Sequence, residues 1–267
     1  NERRPRLGYK GTMSATLSTA LTERTVRWSA CLNVRDLGGL PVLGGGRTRF
    51  GAIVRADGLF RLSPAGLEEV RAYGIRTVID LRYHDELARR PNPYSALPDS
   101  GVTLVHASMM DMDNAAIVSL DRQHLPWVEW NVEMLRLARP QISTIIRTLA
   151  YARPGGSVYH CHAGKDRTGL LSILIESLVG VDEDAIADDY VASNENLKHV
   201  YAEIIAQYPI GSTERIRLET DMPCRAETVH ATLAHLRARH GGVEGYLLEI
   251  GLEPEAIAAL RARLASP

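Results

Sequence analysis

The sequence is short of most features that announce a specialised class. Its three cysteines, Cys31, Cys161 and Cys224, are too few and too scattered for a disulfide scaffold or a paired CxxC zinc site. A reduced, cytoplasmic setting is therefore expected, with export by a route that needs no signal peptide left open. No apolar run approaches the roughly 18 residues of a membrane-spanning helix, and the first 28 residues lack the continuous apolar core of a secretory signal. No integral membrane segment is expected. Charge of either sign is not in excess: the formal net charge is −1, which gives no global attraction for nucleic acid or an anionic surface. Any affinity for anions must be local. Internal repeats and low-complexity tracts are absent.

What is present is an ordinary globular composition, 45% hydrophobic and 24% charged over 267 residues, enough to bury a full core. Residues 1–27, which contain an internal Met13, read as a flexible tail ahead of a single domain spanning 28–267. Short β-branched runs alternate with helical periods, the pattern of an α/β layer structure. FGAIVRADGL reads as a strand, IRTVIDLR and GVTLVHASM as two buried strands, and GSVYHC as a further one. RLSPAGLEEVRAYG reads as a helix with Ser63 as N-cap, Pro64 in the first turn and Gly74 as the stop. WVEWNVEMLRLARPQISTIIRTLAYA has a helical period that Pro140 breaks or kinks. Beyond residue 182 every segment reads as helix, beginning with DEDAIADDYVASN and ENLKHVYAEIIAQY as two. The expected fold is a small, mostly parallel sheet flanked by helices, with a helical C-terminal half.

One stretch concentrates chemistry. SVYHCHAGKDRTG carries a strand into Cys161, then a loop, then a helix beginning near Arg167. A loop in that position points the backbone N–H groups around His162, Ala163 and Gly164 at a single spot, where the helix N-terminus favours negative charge. A phosphate fits there. Gly164 permits the close turn, and Arg167, six residues after the cysteine, can fold back and bind two phosphate oxygens with its planar fork. The same surroundings activate Cys161 as a nucleophile, and the Thr168 hydroxyl is placed to hydrogen-bond its sulfur. Attack on a phosphomonoester through a cysteinyl-phosphate intermediate is the chemistry this builds. It needs no metal and no cofactor.

Other readings of the same residues fare poorly. Six residues beyond Cys31 and Cys224 stand Leu37 and His230, so only Cys161 has the arginine partner. GKDR is not a nucleotide P-loop, since Asp166 replaces the hydroxyl that would hold magnesium. His160 and His162 flank the cysteine at alternate positions without the second pair a metal site requires. LGGGRTRFG lacks the last glycine of a dinucleotide fingerprint and reads as a turn.

HCHAGKDRTG, preceded by NVRDLGG, VRADGL and VIDLR and followed by DDYVASN, resembles the bacterial tyrosine phosphatases of the mycobacterial PtpB type, over roughly residues 30–265. The resemblance implies a cysteine-phosphatase fold with Cys161 as nucleophile, Arg167 as phosphate clamp, and Lys165 and Asp166 as loop residues characteristic of that branch. It also implies a general acid at Asp111, with Asp113 and Asp166 as alternatives. NVRDLGG, with Asn33, Arg35 and Asp36, falls near the phosphate loop and reads as a polar turn. Asp80 and Arg82 would ion-pair beneath the site, and Asp189 and Asn194 would brace the loop from behind. Where the family often has an aromatic residue after the nucleophile, this chain has His162. Trp127 and Trp130 occupy the region of the family's substrate lid.

The substrate is then a phosphorylated protein, through phosphotyrosine with dual or broader specificity. A small phosphorylated metabolite is the second reading, for which Lys165 would supply extra positive charge. A phosphate-binding module without catalysis is the remote third, since such a protein has no use for the thiol.

Overall fold

The computed structural model describes residues 23–265. Five strands form one sheet in the order β1-β2-β5-β3-β4: β1 (Arg35–Asp36), β2 (Ile53–Ala56), β3 (Ile75–Asp80), β4 (Thr103–His106) and β5 (Gly156–His160). Only the short β1 runs antiparallel, and the other four are parallel. The fold is thus the α/β arrangement expected from the alternating pattern.

Register sets the location of the site. Ala56 of β2 and Asp80 of β3 both lie opposite His160 of β5, so the three central strands end level with one another, one residue before Cys161. Side chains alternate across the sheet with period two. Val54, Val78 and Val158 enter one buried cluster with Trp28, Leu59 and Val70, whereas Ile53, Ile79 and Tyr159 enter the larger cluster under the helices. Each such side chain, removed from water, contributes about 1.5–3 kcal/mol. GVTLVHASM is not buried as expected: β4 is the sheet edge, and Thr103 and His106 at its two ends are exposed.

The helices are α1 (Pro64–Ala72), α2 (His84–Arg89), α3 (Ala115–Arg122), α4 (Trp127–Leu137), α5 (Arg139–Ala150), α6 (Asp166–Leu178), α7 (Glu183–Ile205), α8 (Thr213–Asp221), α9 (Ala226–His240), α10 (Val243–Glu249) and α11 (Pro254–Leu264). The punctuation works as read at α1: Ser63 Oγ accepts the Gly66 N–H at 3.1 Å, and Gly74 ends the turn with φ +92°. Pro140 sits in the first turn of α5, so the period is broken into two helices rather than kinked. α6 has buried residues on every side, as its apolar run required. Residues 183–205 form one helix where two were expected. Asn194, which would favour a break, has its amide taken up by the backbone of Cys224 in both directions, at 2.7 and 2.9 Å. None of the helices in the described residues is long and apolar enough to cross a membrane.

The domain boundary expected at residue 28 moves toward the N-terminus. Arg24 is 2% exposed, and its guanidinium reaches the Asp36 carbonyl and the Asp189 carboxylate. The rest of the tail, residues 1–22, lies outside the described residues.

Candidate active site

The loop between β5 and α6 runs from Cys161 to Lys165, with Cys161 3% exposed at its base. Its shape is imposed from outside. The His162 carbonyl accepts the Gly58 N–H at 2.9 Å, the Ala163 carbonyl accepts Asn33 Nδ2 at 3.0 Å, and the Gly164 carbonyl accepts both Asn33 Nδ2 at 3.1 Å and Arg55 Nη2 at 2.9 Å. A trans peptide points its N–H opposite its C=O. Anchoring these three carbonyls to the scaffold therefore turns the N–H groups of Ala163, Gly164 and Lys165 toward the concave side, above the N-terminus of α6. Gly164 has φ +66°, and a Cβ there would stand 2.6 Å from the Ala56 carbonyl oxygen, so no other residue fits.

Behind the loop lies a buried charge cluster. Asp189 on α7 is 0% exposed and takes bonds from Arg24 at 2.5 Å, Arg35 at 3.0 Å and Arg55 at 2.6 Å. Burial alone would raise its carboxyl, but the charges of Arg35, Arg24 and Arg55 outweigh it and hold Asp189 well below the usual range. Arg35 also donates to Asn33 Oδ1, which orients the amide that braces the loop. Asp189 thus braces the loop as expected, through Arg55. Asn194 does not, because its amide is spent on Cys224; Asn196 reaches Asn33 Oδ1 instead, at 3.0 Å. Asp36 caps the polar turn, accepting the Gly38 and Gly51 N–H groups at 2.6 and 2.7 Å.

Beneath Cys161, Asp80 and Arg82 form the expected ion pair, both 0% exposed, at 2.7 Å. His160 completes this layer. Its Nδ1 lies 3.0 Å from the Cys161 carbonyl and its Nε2 lies 3.0 Å from Asn92 Nδ2, which assigns the proton to Nδ1 in a neutral ring. Burial lowers its basicity accordingly. A buried structural histidine, not a metal ligand, is what the residue proves to be.

Arg167 is held by Glu86 of α2, which the sequence did not single out. Nη1 meets Oε2 at 2.5 Å and Nη2 meets Oε1 at 2.8 Å. That fork uses two of the five N–H donors and leaves three for an anion. Burial opposes both charges, but each partner overrides it in the other, raising Arg167 and lowering Glu86. Cys161 is close enough to favour the same cation.

The remaining loop residues depart from expectation. Lys165 is only 4% exposed; its Nζ lies 4.5 Å from the Trp127 ring centroid, 5.7 Å from that of Tyr201 and 3.4 Å from Asp166 Oδ1. An ammonium in an aromatic corner is stabilised by the ring quadrupoles and is not displayed to solvent. Trp127 is in turn fixed by its indole N–H, which donates to the Asp221 carbonyl at 2.6 Å, and it meets Trp130 edge-on. Thr168 is 0% exposed, and its hydroxyl makes no bond to Cys161; Thr168 Oγ1 and Asp166 Oδ1 are both buried without a hydrogen-bond partner. The Thr168 hydroxyl, an orphaned donor beside an anion-binding loop, is a group that a bound anion can satisfy.

Asp111 stands apart from this assembly. It lines a cleft of about 300 Å³ with Tyr83, His84, Asp85 and Asp113, and its Oδ1 accepts the Asp113 N–H at 3.1 Å. Tyr83 lines this cleft and also the pocket of Glu86 and His162, so the two hollows adjoin at that residue. His162 itself is 42% exposed at the mouth, 5.2 Å from the Phe60 ring.

A cysteine at the end of a central parallel strand, amides converging at a helix N-terminus and a fork-held arginine define a cysteine-based phosphoryl-transfer site. The chain belongs to the tyrosine phosphatase family, whose model matches residues 26–266, and it is a phosphoric monoester hydrolase. It is 30% identical over 225 residues to the tyrosine-protein phosphatase of Nostoc commune, covering 80% of this chain and 74% of that protein. It is 26% identical over 256 residues to the triple specificity protein phosphatase PtpB of Mycobacterium tuberculosis, covering 80% and 90%. A putative tyrosine-protein phosphatase of Cupriavidus necator is 28% identical over 224 residues, covering 80% of each.

Proposed function

We propose that the protein hydrolyses phosphotyrosine in proteins or peptides, with Cys161 as nucleophile. The observation that carries this reading is the loop whose carbonyls are tied to Gly58, Asn33 and Arg55 while Arg167 is held by Glu86 at its mouth. That arrangement presents amide and guanidinium donors to a phosphoryl group above one thiol. The names of the Nostoc and Mycobacterium relatives support phosphoprotein substrates. Burial of Lys165 against Trp127 and Tyr201 turns inward the ammonium that favoured a small polyanionic metabolite.

In the reaction, the Cys161 thiolate attacks phosphorus in line with the leaving oxygen. The S–P bond forms as the P–O bond breaks, and a carboxyl group gives its proton to the leaving oxygen. Loop amides and Arg167 stabilise charge on the equatorial oxygens, which is why no metal is called for. Water then cleaves the S–P bond, returning the proton to the carboxylate and releasing phosphate. Asp166 is supported as that carboxyl by its place at the end of the loop, where its Oδ1 makes no hydrogen bond and faces only the Lys165 ammonium at 3.4 Å, and Asp111 by the cleft it lines with Tyr83. Acid quench of a phosphotyrosine turnover followed by mass spectrometry tests the intermediate. A phosphoryl group on the Cys161 peptide, absent in Cys161→Ser, is the expected result; turnover in Cys161→Ser overturns it.

A further inference from the structure

A local positive field adjoins the loop at His162. Phe60, in the short 3₁₀ turn Leu59–Arg61, has three guanidinium groups around its ring, with Arg61, Arg82 and Arg90 at 5.3, 5.0 and 5.1 Å from the centroid. Arg82 is neutralised by Asp80, and Arg167 by Glu86. Arg61 meets Asp57 only at 3.6 Å. Arg89 and Arg90 have no carboxylate within ion-pair distance among the described residues. The Arg89 side chain is aligned by its Nε donating to the Asp85 carbonyl at 3.0 Å, and Arg90 is aligned by stacking on Phe60 and by Arg82, which holds its carbonyl at 2.8 Å.

Arg89 and Arg90 open onto a pocket of about 300 Å³ that they line with Tyr83, Glu86 and His162, and Arg61 lies close enough to His162 to act on its charge. The one carboxylate in it, Glu86, already has both oxygens engaged by Arg167. His162, the residue next to the nucleophile, is kept toward its neutral form first by burial and then by Arg90, Arg61 and Arg167, which oppose Glu86. On a chain whose net charge is −1, unpaired arginines gathered one residue from the nucleophile are a local exception. The mouth is too large for the scissile phosphate alone and carries charge that this phosphate does not use.

We propose that this pocket is a second anion subsite, which takes a phosphoryl or carboxylate group next to the phosphotyrosine of a peptide substrate through Arg90, with Arg89 and Arg61. The inference rests on the phosphatase reading above. An extended peptide advances about 3.3–3.6 Å per residue, so a residue one or two positions from the phosphotyrosine lies over the pocket when the phosphate is in the loop. Planar guanidinium forks suit phosphate and carboxylate alike.

The test is kcat/KM for phosphotyrosine peptides whose neighbouring residue is alanine, glutamate, phosphoserine or lysine, with the affinity of the Cys161→Ser protein for the same peptides measured in parallel. Wild type is expected to favour the glutamate and phosphoserine peptides over alanine by about tenfold, to disfavour lysine, and to lose the preference as salt is raised. In Arg89→Ala/Arg90→Ala, and more weakly in Phe60→Leu, the anionic-to-alanine ratio falls toward one. Because each ratio is internal to one preparation, a partly misfolded variant lowers both rates and leaves the ratio readable. A ratio near one in wild type, or one preserved in the double variant, overturns the subsite. Preference for phosphoinositide vesicles over every peptide, lost in the same double variant, overturns the peptide assignment. If wild type hydrolyses none of the peptides, the phosphotyrosine-peptide reading fails, and the binding ratios alone decide the subsite.

Discussion

Glu86 and Arg167, 81 residues apart in the chain, meet fork to fork with both oxygens and both terminal nitrogens engaged. Glu86→Gln keeps the shape and removes the charge, so it is expected to lower kcat/KM by about tenfold or more, the value of a charge-assisted hydrogen bond. Arg167→Lys should lose about 10²–10³-fold, because a point ammonium cannot span two phosphate oxygens. Steady-state kinetics on a phosphotyrosine peptide checks both; near-normal activity in the lysine variant would remove Arg167 from the clamp role.

The proton donor is separable by leaving group. Loss of a general acid costs about 10²–10⁴-fold, most for an alkyl phosphate and least for a good aryl leaving group. Asp166→Asn is expected to show that leaving-group dependence and Asp111→Asn a smaller one. The reverse order moves the role to Asp111.

Asp189 and Glu176 predict opposite responses to pH. Asp189 is depressed in the folded state, so its contribution is present above the ordinary carboxylate range and is lost as pH falls toward its folded value. Glu176, buried with both oxygens unpartnered, is raised first by burial and then by Asp189; its contribution is present at low pH and lost as pH rises through its folded value. Asp189→Asn leaves three buried guanidinium groups uncompensated and should cost about 3–5 kcal/mol, whereas Glu176→Gln should be near neutral at pH 7. Thermal denaturation from about pH 2 to pH 8 measures both.

Trp127→Leu removes the ring beneath the Lys165 ammonium, a contact worth up to about 2 kcal/mol when desolvated. Its effect on kcat/KM is expected to shrink in a Lys165→Met background. Additive effects would show that the tryptophan acts through packing alone.

What the sequence made legible was local. The strand into Cys161, the loop and α6 are adjacent in the chain, and the six-residue spacing to Arg167 carries their geometry. Ser63, Pro64 and Gly74 delimited α1 for the same reason. What was not legible depended on distant partners. Glu86 is the third residue of a helix and reads as its cap, a job it also performs by accepting the Tyr83 N–H at 3.2 Å, so nothing nearby signals Arg167. Asn33 read as a polar turn residue near the loop, and only the fold shows its amide holding the Ala163 and Gly164 carbonyls. Lys165 had a charge that could be read and a burial that could not, because Trp127 and Tyr201 come from two separate helices.

The tethers that shape the loop have a kinetic consequence. Asn33 reaches the Ala163 carbonyl across 130 residues, and Arg24 reaches Asp189 across 165. Contacts that close such long stretches of chain form late, after local helices have condensed. On dilution from denaturant, helical circular dichroism should therefore recover before turnover does. In that interval the chain is compact, with its cysteine in a segment that does not yet recognise phosphate.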